Sequence, residues 1–432
     1  MVSAKGFFSF FHGNVLVLTV CRALWSFSTS ISGPYLSLYI LALGGTPVEV
    51  GWVNSLIIAG MFLYPVGGYI GDLKGRVKLV AICTYFYAVS HALYIFAQNW
   101  QTIAIGMFLT QFLLFYTPAM NALMADSLPP SVRGRGFATT MALPNAVRIV
   151  APYIGGLLIA YFGGREGGGL VTAMRIAYAI ALLEGLSVAT IRLKFLKETV
   201  RGDTSEPGIS IRSFPSLLKK SYVSVLESLR WMPSSLHFII VLEILESFFV
   251  SLAGPFWIVY ATEVIGLSPL DWGTLMLISG ICGLTLSIPL GYLVDKFGAR
   301  RVMLLSLSLA PISVFLFYLS SSFLVVAAAL ILLSVVNTSV APSFSTIVAN
   351  TIPKERRGRS YALLGDRGVN ITTGGYFGGG FLLFLPAAVG AFIGGLVYEM
   401  GAGLPFIILM IALVMCFFIA FRFVREPEKA AI

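Results

Sequence analysis

Apolar residues in this chain come in runs about as long as a bilayer is thick, separated by short polar turns. The runs cover 14–43, 48–71, 77–97, 100–126, 134–162 and 168–193, then 235–265, 269–293, 301–320, 322–350, 358–397 and 403–423. A helix needs about 20 apolar residues to cross the hydrocarbon core, so each run predicts one spanning helix. The first run is too long for a cleaved signal peptide and is kept as a span. The eleventh is too long for one straight helix and contains Gly374-Gly375, Gly378-Gly379-Gly380 and Pro386, which predicts a break inside it. Residues 194–234 are polar, with Phe214, Leu217, Leu218, Val223, Val225 and Leu226 set among Lys and Glu. They read as an amphipathic helix on the membrane surface.

Composition agrees with that pattern. Of 432 residues 57% are hydrophobic and 11% charged, with a mean hydropathy of +0.89. Soluble domains run near 45–50% apolar and about 25% charged, so this chain needs lipid as a solvent. A soluble enzyme, a nucleic-acid binder and a secreted disulfide scaffold are excluded. Cys21, Cys83, Cys282 and Cys416 lie singly in apolar runs and read as small core residues. His12, His91 and His237 are too scattered to hold a metal. Asn337-Thr-Ser and Asn370-Ile-Thr match the glycosylation pattern but fall within spans.

The net charge of +10 is a topology signal. With the N-terminus inside, 24 of the 29 Lys and Arg fall on the cytoplasmic side, Arg165 alone on the other, and Arg22, Arg148, Arg175 and Arg367 inside spans. That set includes Arg192. Both termini are expected in the cytoplasm of a cell-membrane protein, and no nucleic-acid partner is implied.

The chain also repeats itself at an offset of roughly 221–224 residues. Gly68-Tyr-Ile-Gly-Asp72-Leu-Lys-Gly75-Arg76 returns as Gly291-Tyr-Leu-Val-Asp295-Lys-Phe-Gly298-Ala-Arg300. Pro118, Asp126, Pro129, Arg133 and Arg135 return as Pro342, Asn350, Pro353, Arg357 and Arg359, and Gly33-Pro34 returns as Gly254-Pro255. The expected architecture is therefore twelve transmembrane helices in two six-helix halves, 1–193 and 235–432, joined by the linker 194–234.

These residues resemble the major facilitator superfamily. Its signature G-x-x-x-D-[R/K]-x-G-R-[R/K] is matched at Gly68, Asp72, Gly75 and Arg76, with Leu73 and Val77 in place of basic residues. The echo is matched at Gly291, Asp295, Lys296 and Gly298, with Ala299 where the first Arg is usual. The resemblance implies that Asp72 and Asp295, with the basic turns around Arg76, Arg300, Arg133 and Arg357, gate the cytoplasmic side. Physically, Gly68 and Gly291 would let helix backbones approach and Gly75 and Gly298 would make the tight turns. Ala151-Pro152-Tyr-Ile-Gly155-Gly156 is similar to the G-P-x-x-G-G of proton-coupled antiporters, and equally to ordinary Gly/Pro helix packing. The span-four R-x-x-x-x-x-G pattern of drug exporters is missing, with Gln111 in an otherwise apolar stretch.

Eight ionisable groups fall inside spans: Arg22, Arg148, Arg175, Arg367, Glu184, Glu243, Glu246 and Asp366. Each costs about 2.5–3.5 kcal/mol even on a lenient insertion scale, and their charges cancel, which suggests pairing. Arg22 and Glu243 are related by the repeat offset of 221. Glu243 and Glu246 share a helix face and cannot both be charged cheaply, so one is expected to hold a proton. The alternative is a static salt-bridge set. Asp366 and Arg148 are further candidates for proton or substrate contact. Arg175 and Glu184 read as structural, and His91 as a hydrogen-bonded core residue. Trp25, Tyr35, Gln111, Tyr116, Asn121, Trp257 and Asn337 are candidate cavity residues on spans one, four, seven and ten, the spans that the resemblance places around the cavity.

The expected activity is secondary transport of a small organic solute by alternating access, not catalysis. No nucleotide-binding G-x-x-x-x-G-K-[ST] occurs, and no cofactor or metal is expected. Protons, substrate and lipid are the expected partners of a monomer. Efflux by antiport leads, from the Ala151–Gly156 segment and the aromatic content. Proton-coupled import of a nutrient, or a transporter-like sensor, are the alternatives.

Overall fold

A computed structural model describes residues 10–129, 133–164, 168–199, 223, 234–351, 370–374 and 380–424. The described residues form helices and connections, with no strand among them. Ten of these helices are long and apolar enough to cross a membrane. The second expected span is split into α3 and α4, and the eleventh is a shorter apolar helix, Phe384–Met400, so all twelve expected segments have a helical counterpart.

In the first half, span one is α1 (Gly13–Ser32) and α2 (Leu36–Ala42), and span two is α3 (Pro47–Ser55) and α4 (Ile58–Lys74). Span three is α5 (Arg76–Ile95), and span four is α6 (Trp100–Leu113) and α7 (Thr117–Ser127). Spans five and six are α8 (Arg133–Tyr161) and α9 (Gly169–Phe195). In the second half, α10 (Ser234–Ala253) and α11 (Trp257–Glu263) form span seven, and α12 (Pro269–Phe297), α13 (Ala299–Tyr318) and α14 (Phe323–Thr351) form spans eight to ten. The last two are α15 (Phe384–Met400) and α16 (Leu404–Phe423).

The sequence repeat is legible as repeated local structure. Spans one and seven both narrow to a 3₁₀ turn, at Gly33–Tyr35 and Gly254–Phe256, where a proline lacks the N–H that an α-helix would use. Tyr39 donates from its hydroxyl to the Tyr94 carbonyl at 2.7 Å, and its counterpart Tyr260 donates to the Tyr318 carbonyl at 3.0 Å. Helices α3 and α12 both start with a capping box, Thr46 with Glu49 and Ser268 with Asp271, followed by a proline at the first helical position. Gly75 and Gly298, with φ of +93° and +88°, end spans two and eight in a conformation that side chains with a Cβ avoid.

The two halves meet at one end of the molecule. Helix α3 packs along α15, and α8 along α12, whereas α4 has far less contact with α15. A Cβ added to Gly156 would lie 2.9 Å from the Pro269 carbonyl oxygen, and one on Gly155 would lie 2.1 Å from that of Ile31. The paired glycines thus seat span eight and span one against span five. Within the second half, Trp257, Phe317 and Phe406 form a tight aromatic core.

The expected break in the eleventh segment is present. Asn370–Gly374 is not helical, and α15 begins only at Phe384 after a 3₁₀ turn. Arg192, counted above with the cytoplasmic basic residues, is instead inside α9 and 1% exposed. Nearly all of the linker 194–234 lies outside the described residues.

Candidate functional site

Span seven carries Glu243 and Glu246 into the interior of the second half. They are 3% and 5% exposed, one turn apart on α10, and Oε1 of each has no hydrogen-bond partner among the described residues. Glu246 accepts a hydrogen bond from the backbone N–H of Asn370, and Cys416 on α16 is within electrostatic reach of both carboxyls. Beside them runs the non-helical Asn370–Gly374. Asn337 on α14 holds it twice: Nδ2 donates to the Ile371 carbonyl, and the Ile371 N–H donates to Oδ1, each at 3.0 Å. A Cβ on Gly254 would lie 2.6 Å from the Gly374 carbonyl oxygen. Ser247 donates to the Leu383 carbonyl at 2.9 Å. Open backbone at membrane depth survives only where protein or a water-filled cavity satisfies it, and these side chains satisfy much of it here.

The first half is built in the opposite sense. Arg22 on α1 donates to Asn121 Oδ1 at 3.1 Å and approaches the Met141 sulfur at 3.6 Å. Arg192 donates to Thr84 Oγ1 at 2.7 Å and to the Tyr116 hydroxyl at 3.5 Å, and lies over the rings of Trp25 and Tyr116. Trp25 packs on Tyr87 with ring centroids 4.2 Å apart. Arg22 therefore bonds neutral groups of its own half, and the expected pairing with Glu243 is not made. The offset of 221 places the two on equivalent helices of different halves: Arg22 bonds Asn121 in its own half, and Glu243 is buried on span seven with its Oε1 unpartnered among the described residues.

Other candidate residues sort by what they touch. Tyr35, expected in the cavity, is fully buried at the packed end, donating to the Pro152 carbonyl at 2.6 Å and reaching that of Pro269 at 3.3 Å. Trp257 is likewise enclosed in the second-half core. Both are too closely packed to line an opening in this state. Gln111 is buried, with Nε2 3.8 Å from the Met107 sulfur. Arg148 is exposed on α8. Arg175 donates to the Ala97 carbonyl at 2.7 Å, tying span six to the end of span three. His91 contacts the Tyr87 carbonyl within its own helix. Asp366 and Arg357 lie outside the described residues, as do the side chains of Asp72 and Arg133.

At the turns, Arg76 forms an ion pair with Asp126 at 2.5 Å and reaches Thr199 Oγ1 at 3.4 Å, while Glu198 accepts from the Val77 N–H at 3.0 Å. The equivalent Arg300 donates to the carbonyls of Val424 and Phe421 at 2.6 and 2.7 Å. Arg300 thus binds the end of the last span of its half, whereas Arg76 pairs with the end of span four and reaches Thr199 just beyond span six. Asp295 is exposed. A Cβ on Gly291 would meet nothing within 4 Å, so this glycine is not a close-approach point in this state. On α4 the closest approaches are at Gly67 against the Phe115 carbonyl and Gly71 against Ala119, not at Gly68. The three lie in one glycine-rich turn, and only the neighbouring helix decides which of them faces it. Among the described residues no cluster of His, Cys, Asp and Glu could hold a metal ion.

The family model described as Major Facilitator Superfamily matches residues 18–243 and 239–432. A multidrug resistance protein, MdtG, of Proteus mirabilis is 24% identical over 77% of this chain and 80% of its own length. A multi-drug resistance efflux pump PmrA homolog of Lactococcus lactis is 25% identical over 78% and 79%, and an uncharacterized MFS-type transporter of Methanocaldococcus jannaschii is 21% identical over 81% and 86%. Among solved structures, a bacterial homolog of the lysosomal transporter Spinster, inward-facing, superposes with a TM-score of 0.68 at 13% identity, covering 99% of this chain and 100% of that one. A D-xylose–proton symporter superposes with a TM-score of 0.67 at 16% identity, covering 97% and 99%.

Proposed function

The chain belongs to the Major Facilitator Superfamily, and from that premise we propose that it is a proton-coupled exporter of a small organic compound. The observation that carries the coupling is the carboxyl pair Glu243 and Glu246, buried on α10 against the broken segment Asn370–Gly374. Two carboxyls at one dry site cannot both be charged cheaply, so the site exchanges protons with whichever side it faces. Discontinuous helices are where transporters of this kind gather their coupling chemistry. Efflux is favoured by the drug-efflux names of the relatives, MdtG and PmrA homolog.

The distribution of basic residues favours cytoplasmic termini, and on that reading the packed end of α3, α15, α8 and α12 is the external side. This is an inward-facing state of a monomer whose halves, 1–193 and 235–432, rock about the central site while 194–234 joins them. Asp72, Asp295 and the Arg76 and Arg300 turns act at the cytoplasmic gate. Proteoliposomes test the reading: transport of a candidate drug driven by an imposed pH gradient is compared with gradient-free counterflow. Accumulation that follows the gradient supports it; equal flux with and without the gradient would reject proton coupling.

A further inference from the structure

We propose that the first half contains an anion site, built from Arg22 and Arg192, that holds the negatively charged group of an amphiphilic organic substrate. This rests on the transporter reading and adds a substrate class to it. Arg192 is 1% exposed, and its Nε has no hydrogen-bond partner among the described residues. Its contacts with Thr84 Oγ1, the Tyr116 hydroxyl and the Cys21 thiol are to neutral groups, as are those of Arg22 to Asn121 and Met141. Both guanidinium groups bond span four, Arg22 at Asn121 and Arg192 at Tyr116, and no carboxylate among the described residues pairs with either. Two like charges in a poorly hydrated interior are costly unless an opposite charge joins them.

The internal repeat sharpens the argument. Arg22 corresponds to Glu243 at the offset of 221, and Glu246 lies one turn on from Glu243. The same position on spans one and seven is therefore cationic in one half and acidic in the other. Carboxyls can lose their charge by taking up a proton. A guanidinium cannot shed its own at any physiological pH, so an external anion is the remaining way to neutralise the first-half site. Arg22, half-buried, offers its planar fork as the contact. Arg192 stands behind it as a positioning residue that supplies field. Trp25, packed at a tilt against Tyr87, gives an aromatic platform beside the charge, suited to a flat apolar body bearing a carboxylate, sulfonate or phosphate.

The test is equilibrium binding to the full chain in neutral phosphatidylcholine nanodiscs, so it needs no gradient and stays interpretable if coupling fails. Calorimetric titrations use p-toluenesulfonate, benzyltrimethylammonium as a cation of similar size, and inorganic sulfate. Saturable binding of the toluenesulfonate is expected, at least tenfold tighter than the cation and than sulfate. Arg22→Gln should weaken it at least tenfold, Arg22→Lys should restore part of the loss, and Arg192→Gln should weaken it less while benzyltrimethylammonium binding is unmoved. Equal affinity for the two organic ions, or Arg22→Gln within twofold of the parent while still monodisperse, would overturn the site. Sulfate binding as tightly as toluenesulfonate would overturn the organic substrate class.

Discussion

Gly51 and Gly395 meet backbone to backbone across the two halves: a Cβ on Gly51 would lie 2.8 Å from both the Cα and the N of Gly395, and 2.6 Å from the Ala391 carbonyl oxygen. No side chain can be inserted there without moving one half away from the other. Gly395 in turn faces the Pro47 carbonyl oxygen at 2.7 Å from its own would-be Cβ. The packed end of the molecule is thus a contact that only the absence of side chains permits.

Gly51→Val should hold that end apart. The expected result is a folded chain whose counterflow falls at least tenfold, with a membrane-impermeant maleimide reaching a cysteine placed at Tyr35 more readily than without the valine. Undiminished exchange would show that this contact need not form during transport.

Replacing either carboxyl of the span-seven pair by amide should separate binding from driving force. Glu243→Gln and Glu246→Gln are expected to keep counterflow within a few-fold of the parent and to lose accumulation against a gradient, because an amide cannot release a proton. Their exchange rates should also lose pH dependence. If both variants accumulate substrate fully, the pair is structural, and Asp366 becomes the residue to test.

Asn337 offers a graded stability series. Asn337→Leu leaves both the N–H and the carbonyl of Ile371 without their partner. A buried polar group left unpaired costs about 1–3 kcal/mol, so the melting temperature in detergent should drop clearly. Asn337→Asp keeps the acceptor and loses the donor, and should fall between. A Leu variant that melts with the parent would show that water takes over both bonds.

The turn at Arg76 should respond unequally to its two ends. Asp126 is half-exposed, so Asp126→Asn should cost under about 1 kcal/mol. Arg76 is buried and also reaches Thr199, so Arg76→Gln should cost more. Thermal melts of the two variants check the order, and equal losses would mean that the ion pair alone matters.

Topology has a direct readout. A reporter fused after Ile432 should be cytoplasmic, and one inserted near Arg165 external. A C-terminus outside the cell would overturn both the orientation and the inward-facing reading.

How much of this was legible in the sequence depends on whether a neighbour was needed. The spans were, because lipid forces each backbone to satisfy itself locally, so length and apolarity suffice. The repeat was too, since Gly33-Pro34 and Gly254-Pro255 bend their helices for reasons carried by the residues themselves. So was the break near Gly374, from its glycines. Sequence also singled out Glu243 and Glu246 by their rarity inside a span. What it could not decide was who faces whom. Arg192 looked like one more residue of a basic fringe, because its place three residues from a helix end does not say that α9 turns it inward onto Thr84 and Tyr116. Tyr35 and Trp257 carried the aromatic signature of a cavity, and the packing of α8, α12 and α13 enclosed them instead. Arg22 and Glu243 looked like partners across a gap. Helix rotation and the distance between the halves, set by contacts such as Gly51 on Gly395, left each to its own half. A local pattern fixes which segments cross the bilayer, because each crosses alone; which side chains meet depends on how helices rotate and pack, and that is a property of the assembled chain.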